Sequence, residues 1–155
     1  MERVLSGRAE DYLRSIYEVV EQKGFARIKD IAKELELKPS TVVEMIRKLH
    51  KSGFVRYERY GGVTLTPHGR EIAQAIKERH DTFKKFLELL LIPEDIVLKD
   101  SHILEHQLDP KTILQFTRFI KFVTEVSSTL IEQFKEYCKR EEEKIHSISV
   151  RKLKI

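Results

Sequence analysis

The chain has 155 residues, 41% of them hydrophobic and 35% charged, with a formal net charge of +4 and a single cysteine. That length suits one domain, or a small domain with an appendage. One cysteine excludes an internal disulfide and fits a reducing compartment. No stretch approaches the roughly 20 apolar residues of a membrane span, and the opening Met1-Glu2-Arg3-Val4 carries no signal-peptide core. A soluble, cytoplasmic protein is expected. Cys138 sits in a helical pattern with no histidine beside it, which suits packing better than nucleophilic chemistry.

In chain order, residues 7–23 read as a helix. Ser6 is its N-cap, Tyr12, Leu13, Ile16, Tyr17 and Val20 recur at three- and four-residue spacing, and Gly24 ends it. A second helix over 28–36 places Ile28, Ile31, Ala32 and Leu35 on one face. A third runs from Pro39, at home in a first helical turn, to about Ser52, with Val42, Met45, Ile46 and Leu49 inward. Two short helices joined by a tight turn form a helix-turn-helix. Residues 54–58 and 63–65 then alternate like strands around Arg59-Tyr60-Gly61-Gly62, a hairpin placed as a wing. Thr66-Pro67 opens a long helix to about Leu91, Pro93-Glu94 another, and Asp109-Pro110 a third to about Phe122. Helical spacing continues from Val123 to about Lys144, and the last ten residues are expected to fray. The fold class is therefore mainly α: an N-terminal winged helix-turn-helix (1–70), an all-helical domain (71–145) and a disordered tail (146–155).

Between Lys38 and Arg59 stand six cations (Lys38, Arg47, Lys48, Lys51, Arg56, Arg59) against two carboxylates, Glu44 and Glu58. This segment alone carries a surplus equal to that of the whole chain, and cations beside phosphates supply most non-specific DNA affinity. The third helix would present Pro39, Ser40, Thr41, Val43, Glu44 and Arg47 to the major groove, with Ser40 and Thr41 bonding bases or phosphates and Val43 against a thymine methyl. Arg56, Arg59 and Tyr60 on the wing would meet backbone or minor groove. A protein-interaction module is the bland alternative.

His102, Glu105 and His106 fall at i, i+3 and i+4, on one helical face. The pattern fits half of a transition-metal site. It also fits a plain polar helix face, and the His-x-x-Glu-His signature of inverted zinc peptidases, in which Glu105 would be the general base. A complete winged helix leaves little chain for a peptidase cleft. His80 lies mid-way along the long helix. His50 and His68 belong to the first half, and His146 to the end of the chain.

The sequence resembles the metal-dependent repressors of the diphtheria toxin repressor and manganese transport regulator type. The resemblance is carried by residues 10–18 (EDYLRSIYE), 24–27 (GFAR), 30–32 (DIA), 39–42 (PSTV), Lys48-Leu49, 65–69 (LTPHG), Arg79-His80 and Leu104-Glu105-His106. It implies that the first half binds operator DNA, that the helical half makes a homodimer, and that a divalent metal activates repression of metal-homeostasis genes. By the same resemblance Asp11, His80, Glu105 and His106 are ligands, and His102 is a changed but competent one. Arg14 stands where manganese-type members have a carboxylate, and Lys84 and Leu98 where iron-type members have ancillary ligands. One well-formed site per subunit is expected. The imidazole and carboxylate set suits Fe2+ or Mn2+, with Zn2+ and Co2+ also compatible. The competing expectation is a winged-helix regulator that no longer senses metal.

Overall fold

The computed structural model describes residues 5–126 and 128–152. Its elements are α1 (Gly7–Lys23), α2 (Ile28–Glu34), α3 (Pro39–Lys51), β1 (Val55–Glu58), β2 (Gly62–Leu65), α4 (Pro67–Leu89), α5 (Glu94–Gln107), α6 (Pro110–Val126) and α7 (Ser128–Lys152). The mainly α class, with a winged helix-turn-helix ahead of helices, is as the patterning implied.

The punctuation of the chain explains these limits. The Ser6 hydroxyl accepts from Ala9 N–H at 3.3 Å to start α1, and Gly24, at φ 81°, closes it by donating to the Val20 carbonyl at 2.7 Å. That left-handed conformation is one glycine adopts without steric cost. Thr66 Oγ1 accepts from Gly69 N–H at 2.9 Å and donates to the Gly53 carbonyl at 2.7 Å, so one hydroxyl caps α4 and ties it to the end of α3. Asp109 Oδ1 accepts from Lys111 N–H at 2.8 Å at the start of α6. β1 and β2 pair antiparallel, Val55 with Leu65 and Glu58 with Gly62.

The chain forms two compact units, Met1–Arg79 and His80–Ile155. The first has a continuous core in which Tyr12, Leu13 and Ile16 of α1 meet Ile31, Val42, Ile46, Val55 and Val63, with Ala73 and Ile76 of α4. In the second, Phe83, Leu87, Val97, Ile120 and Val123 are buried, and the Phe116 ring lies 5.3 Å from that of Phe86. The boundary thus falls inside α4, at Arg79/His80, later than the expected start of the helical domain at 71. The reason is that the early apolar residues of α4 complete the winged-helix core while the later ones serve the helical unit.

Three other limits differ from the sequence reading. α2 stops at Glu34, and Glu36 turns into the left-handed region at φ 53°. α4 stops at Leu89, with Leu91 at φ 61°. α7 continues to Lys152 where a frayed tail from His146 was expected. No Gly or Pro lies between Ser128 and Lys152, so nothing in the backbone interrupts the i→i−4 ladder. Residues 153–155 of that expected tail lie outside the described residues.

Gly69 is buried, and a Cβ built there would lie 1.7 Å from the Phe54 carbonyl oxygen. Gly69→Ala must push α4 off the end of α3, and urea denaturation should show a loss of about 2 kcal/mol or more. The Asp30 carboxyl is held below the usual carboxylate range of 3.8 by its bond from Arg27 N–H and by the Lys23 ammonium at 3.1 Å. Its stabilising effect is complete above that range and is lost as pH falls through the depressed value. Asp30→Asn should therefore be less stable than wild type at neutral pH, with the gap closing under acid in pH-stepped denaturation.

Candidate metal centre and DNA-reading surface

α5 presents His102, Glu105 and His106, the candidate ligands, from one face because residues three and four apart lie one above the other. Glu105 is the pivot. Its side chain is 1% exposed, and three imidazoles approach its two oxygens. His80 Nδ1, from α4, lies 3.0 Å from Oε2. His106 Nε2 and His102 Nδ1 lie 3.3 and 3.6 Å from Oε1. The His102 and His106 rings meet edge to face at 4.6 Å. Ligand atoms of His102, Glu105 and His106 lie within 4.8 Å of one another.

A buried carboxylate is costly unless positive charge compensates it. A bound cation would supply that compensation, so the cluster suits a metal ion. Its nitrogen and oxygen donors, with no thiolate, fit a divalent transition metal of borderline softness. His102 is half exposed while His80 and His106 are largely covered, so His102 forms the open side of the cluster.

The structure brings His80 together with His102, Glu105 and His106 in the second unit. Asp11 lies half-buried on α1, in the first. Arg14 is also on α1, where its Nη1 faces Glu18 Oε1 at 3.5 Å. Lys84 faces Glu88 at 3.9 Å, and Leu98 is exposed, so neither position offers a donor for an ancillary metal. The other histidines have local settings. His50 Nδ1 lies 3.1 Å from the Val55 carbonyl and 3.2 Å from Tyr57 N, which ties the last turn of α3 to β1. His68 stacks on Phe54 at 5.3 Å, and His146 is exposed. Cys138 is half-buried on α7.

In the first unit, Lys38, Pro39, Ser40, Glu44, Arg47, Lys48 and Lys51 are exposed on and around α3, and Thr41 and Val43 are half-buried. Glu44 pairs with Lys48 at 3.3 Å. Arg56, Arg59 and Tyr60 are exposed on the wing, Tyr60 at 94%. The buried face of α3 is Val42, Ile46 and Leu49, which leaves the opposite face to solvent. Sequence patterning missed one link. Ala26, between α1 and α2, bridges Val63 through N–H···O bonds of 2.8 and 2.7 Å, so the start of α2 is fastened to the wing. No pattern marks a single bridging residue 37 positions from its partner.

Residues 4–63 match the family described as iron dependent repressor, N-terminal DNA binding domain, and residues 66–130 its metal binding and dimerisation domain. The chain belongs to the iron-dependent repressor family. It is 37% identical over 134 residues to the transcriptional regulator MntR of Geobacillus kaustophilus, covering 86% of this chain and 94% of that protein. It is 34% identical to MntR of Bacillus subtilis over 75% of this chain and 82% of that one. Among solved structures it resembles a manganese-dependent transcriptional repressor in complex with manganese, at 31% identity and a TM-score of 0.61, covering 74% of this chain and 53% of that one. The metal-dependent regulator MtsR matches at 26% identity and a TM-score of 0.67 over 74% and 54%. The chain thus spans about half the length of those two solved regulators.

The chain is a metal-dependent, DNA-binding transcriptional regulator, and its family members are not enzymes. The His-x-x-Glu-His spacing is not a peptidase motif here. Among the described residues no helix is long and apolar enough to cross a membrane. The buried carboxylate makes one substitution decisive. Glu105→Gln keeps the shape and removes the charge, and should weaken divalent metal binding at least about tenfold in a competition titration, since even residues that only orient ligands cost that much.

Proposed function

We propose that the chain is a repressor of metal-homeostasis genes that binds operator DNA as a homodimer in the cytoplasm and is activated by Fe2+ or Mn2+ at one site per subunit. The observation that carries this reading is the buried Glu105 carboxylate shared by three imidazoles. His80, His102, Glu105 and His106 would hold the metal, with Asp11 as the further ligand that the family resemblance assigns. Zn2+ and Co2+ suit the same donors. Selection among them would follow metal supply and coordination number, because raw affinity rises along the Irving–Williams order.

The single site follows from the departures already described. Arg14 brings a cation committed to Glu18, where a second divalent ion would need another carboxylate. Lys84 and Leu98 supply no ancillary ligand. The homodimer is supported by the helical unit, where Leu114, Phe119 and Phe122 of α6 and Leu130 and Tyr137 of α7 are exposed. Apolar residues clustered at such density commonly mark association surfaces.

When bound, the divalent ion supplies the positive charge that the Glu105 cluster lacks. Glu105 accepts from His80 and so keeps its second oxygen oriented towards His102 and His106. The DNA-competent arrangement gains about 2.7 kcal/mol when free metal is a hundredfold above its dissociation constant. Two α3 helices of a dimer would then enter major grooves roughly 34 Å apart, one helical turn.

Operator affinity, read by fluorescence anisotropy, should rise with added Fe2+ or Mn2+ and fall with excess chelator. An affinity indifferent to chelator contradicts metal activation while leaving DNA binding standing. His106→Ala should lose the stoichiometric uptake that wild type shows. Equal uptake by both would remove α5 from the site.

A further inference from the structure

α7, with 25 residues the longest of the described helices, lies almost wholly beyond the family's dimerisation domain, whose match ends at residue 130. Among the described residues none of α7 is fully buried. A helix draws most of its stability from packing an apolar face rather than from its own backbone. One this exposed suits a partner outside the subunit.

Its sequence carries a seam with alternating three- and four-residue steps. Ile131, Phe134, Cys138, Glu141 and Ile145 take successive a and d positions, and Ile148 keeps the register. That period is the one of two helices supercoiled about each other. The first four are half-buried, whereas Ile145 is 64% exposed, and Tyr137 beside the seam 55%. At the base of the helix, Ile131 and Phe134 line an apolar groove of about 260 Å³ together with Phe86 and Leu90 of α4 and Phe119 and Val123 of α6. The seam thus has a groove at one end and an exposed apolar residue towards the other. Two copies running in opposite directions make these ends complementary.

Charge selects the direction and the register. A parallel pair sets Glu141 against Glu141 of the other copy inside the seam, two carboxylates together. An antiparallel pair sets Glu141 against the neutral Cys138 and leaves Lys144, at 2.7 Å, as its counter-ion. Lys135 and Glu142 are exposed at successive e positions, which meet the e positions of an antiparallel partner. With residue 139 facing residue 140, each Lys135 meets a Glu142. Sliding one helix by a heptad in either direction opposes Lys135 to Lys135 or Glu142 to Glu142.

We propose that α7 pairs antiparallel with α7 of a second copy of this chain, residue 139 facing residue 140, and that the partner's Ile145 packs on Phe134 at the mouth of the groove. The inference rests on the proposed homodimer and adds to it a self-complementary contact built from residues outside the dimerisation domain. Every contact is made twice about one two-fold axis, so the pairing closes on itself and does not propagate into fibres. The polar Cys138–Glu141 layers at the centre fix the register at a cost in strength.

The test is double electron–electron resonance on full-length Cys138→Ser protein carrying one nitroxide per chain. The labels go on Glu132→Cys, Lys139→Cys or His146→Cys, three exposed b positions of the same register. A rise of 1.5 Å per residue places equivalent labels of the two copies about 22, 1.5 and 20 Å apart along the axis respectively. The measured distance should therefore pass through a minimum at 139 and be longer by roughly 10 Å at 132 and 146. Ile145→Asp changes a residue exposed in the single subunit. It should abolish the minimum while the helical signal in circular dichroism is kept.

Three equal distances would mean a parallel pair and overturn the proposal. A distance that changes in one direction along the helix, or an Ile145→Asp variant that keeps the minimum, overturns it as well. Sedimentation of the same samples separates this pairing from the homodimer: a monomer sinks both, whereas a dimer without the minimum sinks the α7 pairing alone. Vesicles of phosphatidylcholine and phosphatidylglycerol test the other occupant of an apolar helix face. Immobilisation of the labels by vesicles, with no minimum in their absence, would make the seam a lipid-facing surface and overturn the second copy as its occupant.

Discussion

A carboxylate that is almost wholly buried and faces three imidazoles is the constraint on which the helical unit turns. A carboxylate so buried needs compensating charge nearby, which a bound cation would supply. Four polar side chains from α4 and α5 converge where an apolar contact would pack more cheaply. Such a cluster is a weak contributor to stability and a strong candidate for a switch, because whatever supplies the positive charge biases the arrangement of the elements that carry the ligands. That is how a metal regulator can be built with no moving part beyond its own helices.

Charge is distributed with the same economy in the winged-helix unit. Arg14, Arg70, Lys77 and Arg79 on α1 and α4 are paired to carboxylates of α1, whereas Arg27 and Lys29 at the start of α2, Arg47 and Lys51 on α3 and Arg56 and Arg59 on the hairpin make no ion pair among the described residues. A modest overall charge is therefore compatible with nucleic-acid binding, since what matters to a phosphate backbone is the local uncommitted surplus. The apolar periodicity of α3 buries Val42, Ile46 and Leu49 and so turns Arg47, Lys48 and Lys51 outward. The residues that hold the helix in the core also decide which ones it shows.

Most of the element order was legible in the sequence because capping signals are local. Ser6, Gly24, Thr66 and Asp109 act within four residues of themselves, and each stands where its helix begins or ends. The i, i+3, i+4 spacing of His102, Glu105 and His106 likewise needed only helical geometry. What no spacing rule could supply was the meeting of His80 with Glu105, 25 residues apart, or the division of three imidazoles between two oxygens. The unit boundary within α4 is hidden in the sequence because one continuous helical pattern serves two cores. The fastening of α2 to the wing is hidden because it depends on a single bridge between Ala26 and Val63. The span of α7 exceeds the expected one because high charge density resembles fraying, although the sequence holds no helix breaker.

On the proposed mechanism, metal and DNA select the same arrangement of the protein, and thermodynamic linkage makes that selection reciprocal. The most direct test measures the metal affinity of the full-length chain by competition with a fluorescent chelator, with and without saturating operator duplex. DNA should tighten metal binding by the same factor by which metal tightens DNA binding. Identical metal affinity in the presence and absence of DNA would contradict the mechanism.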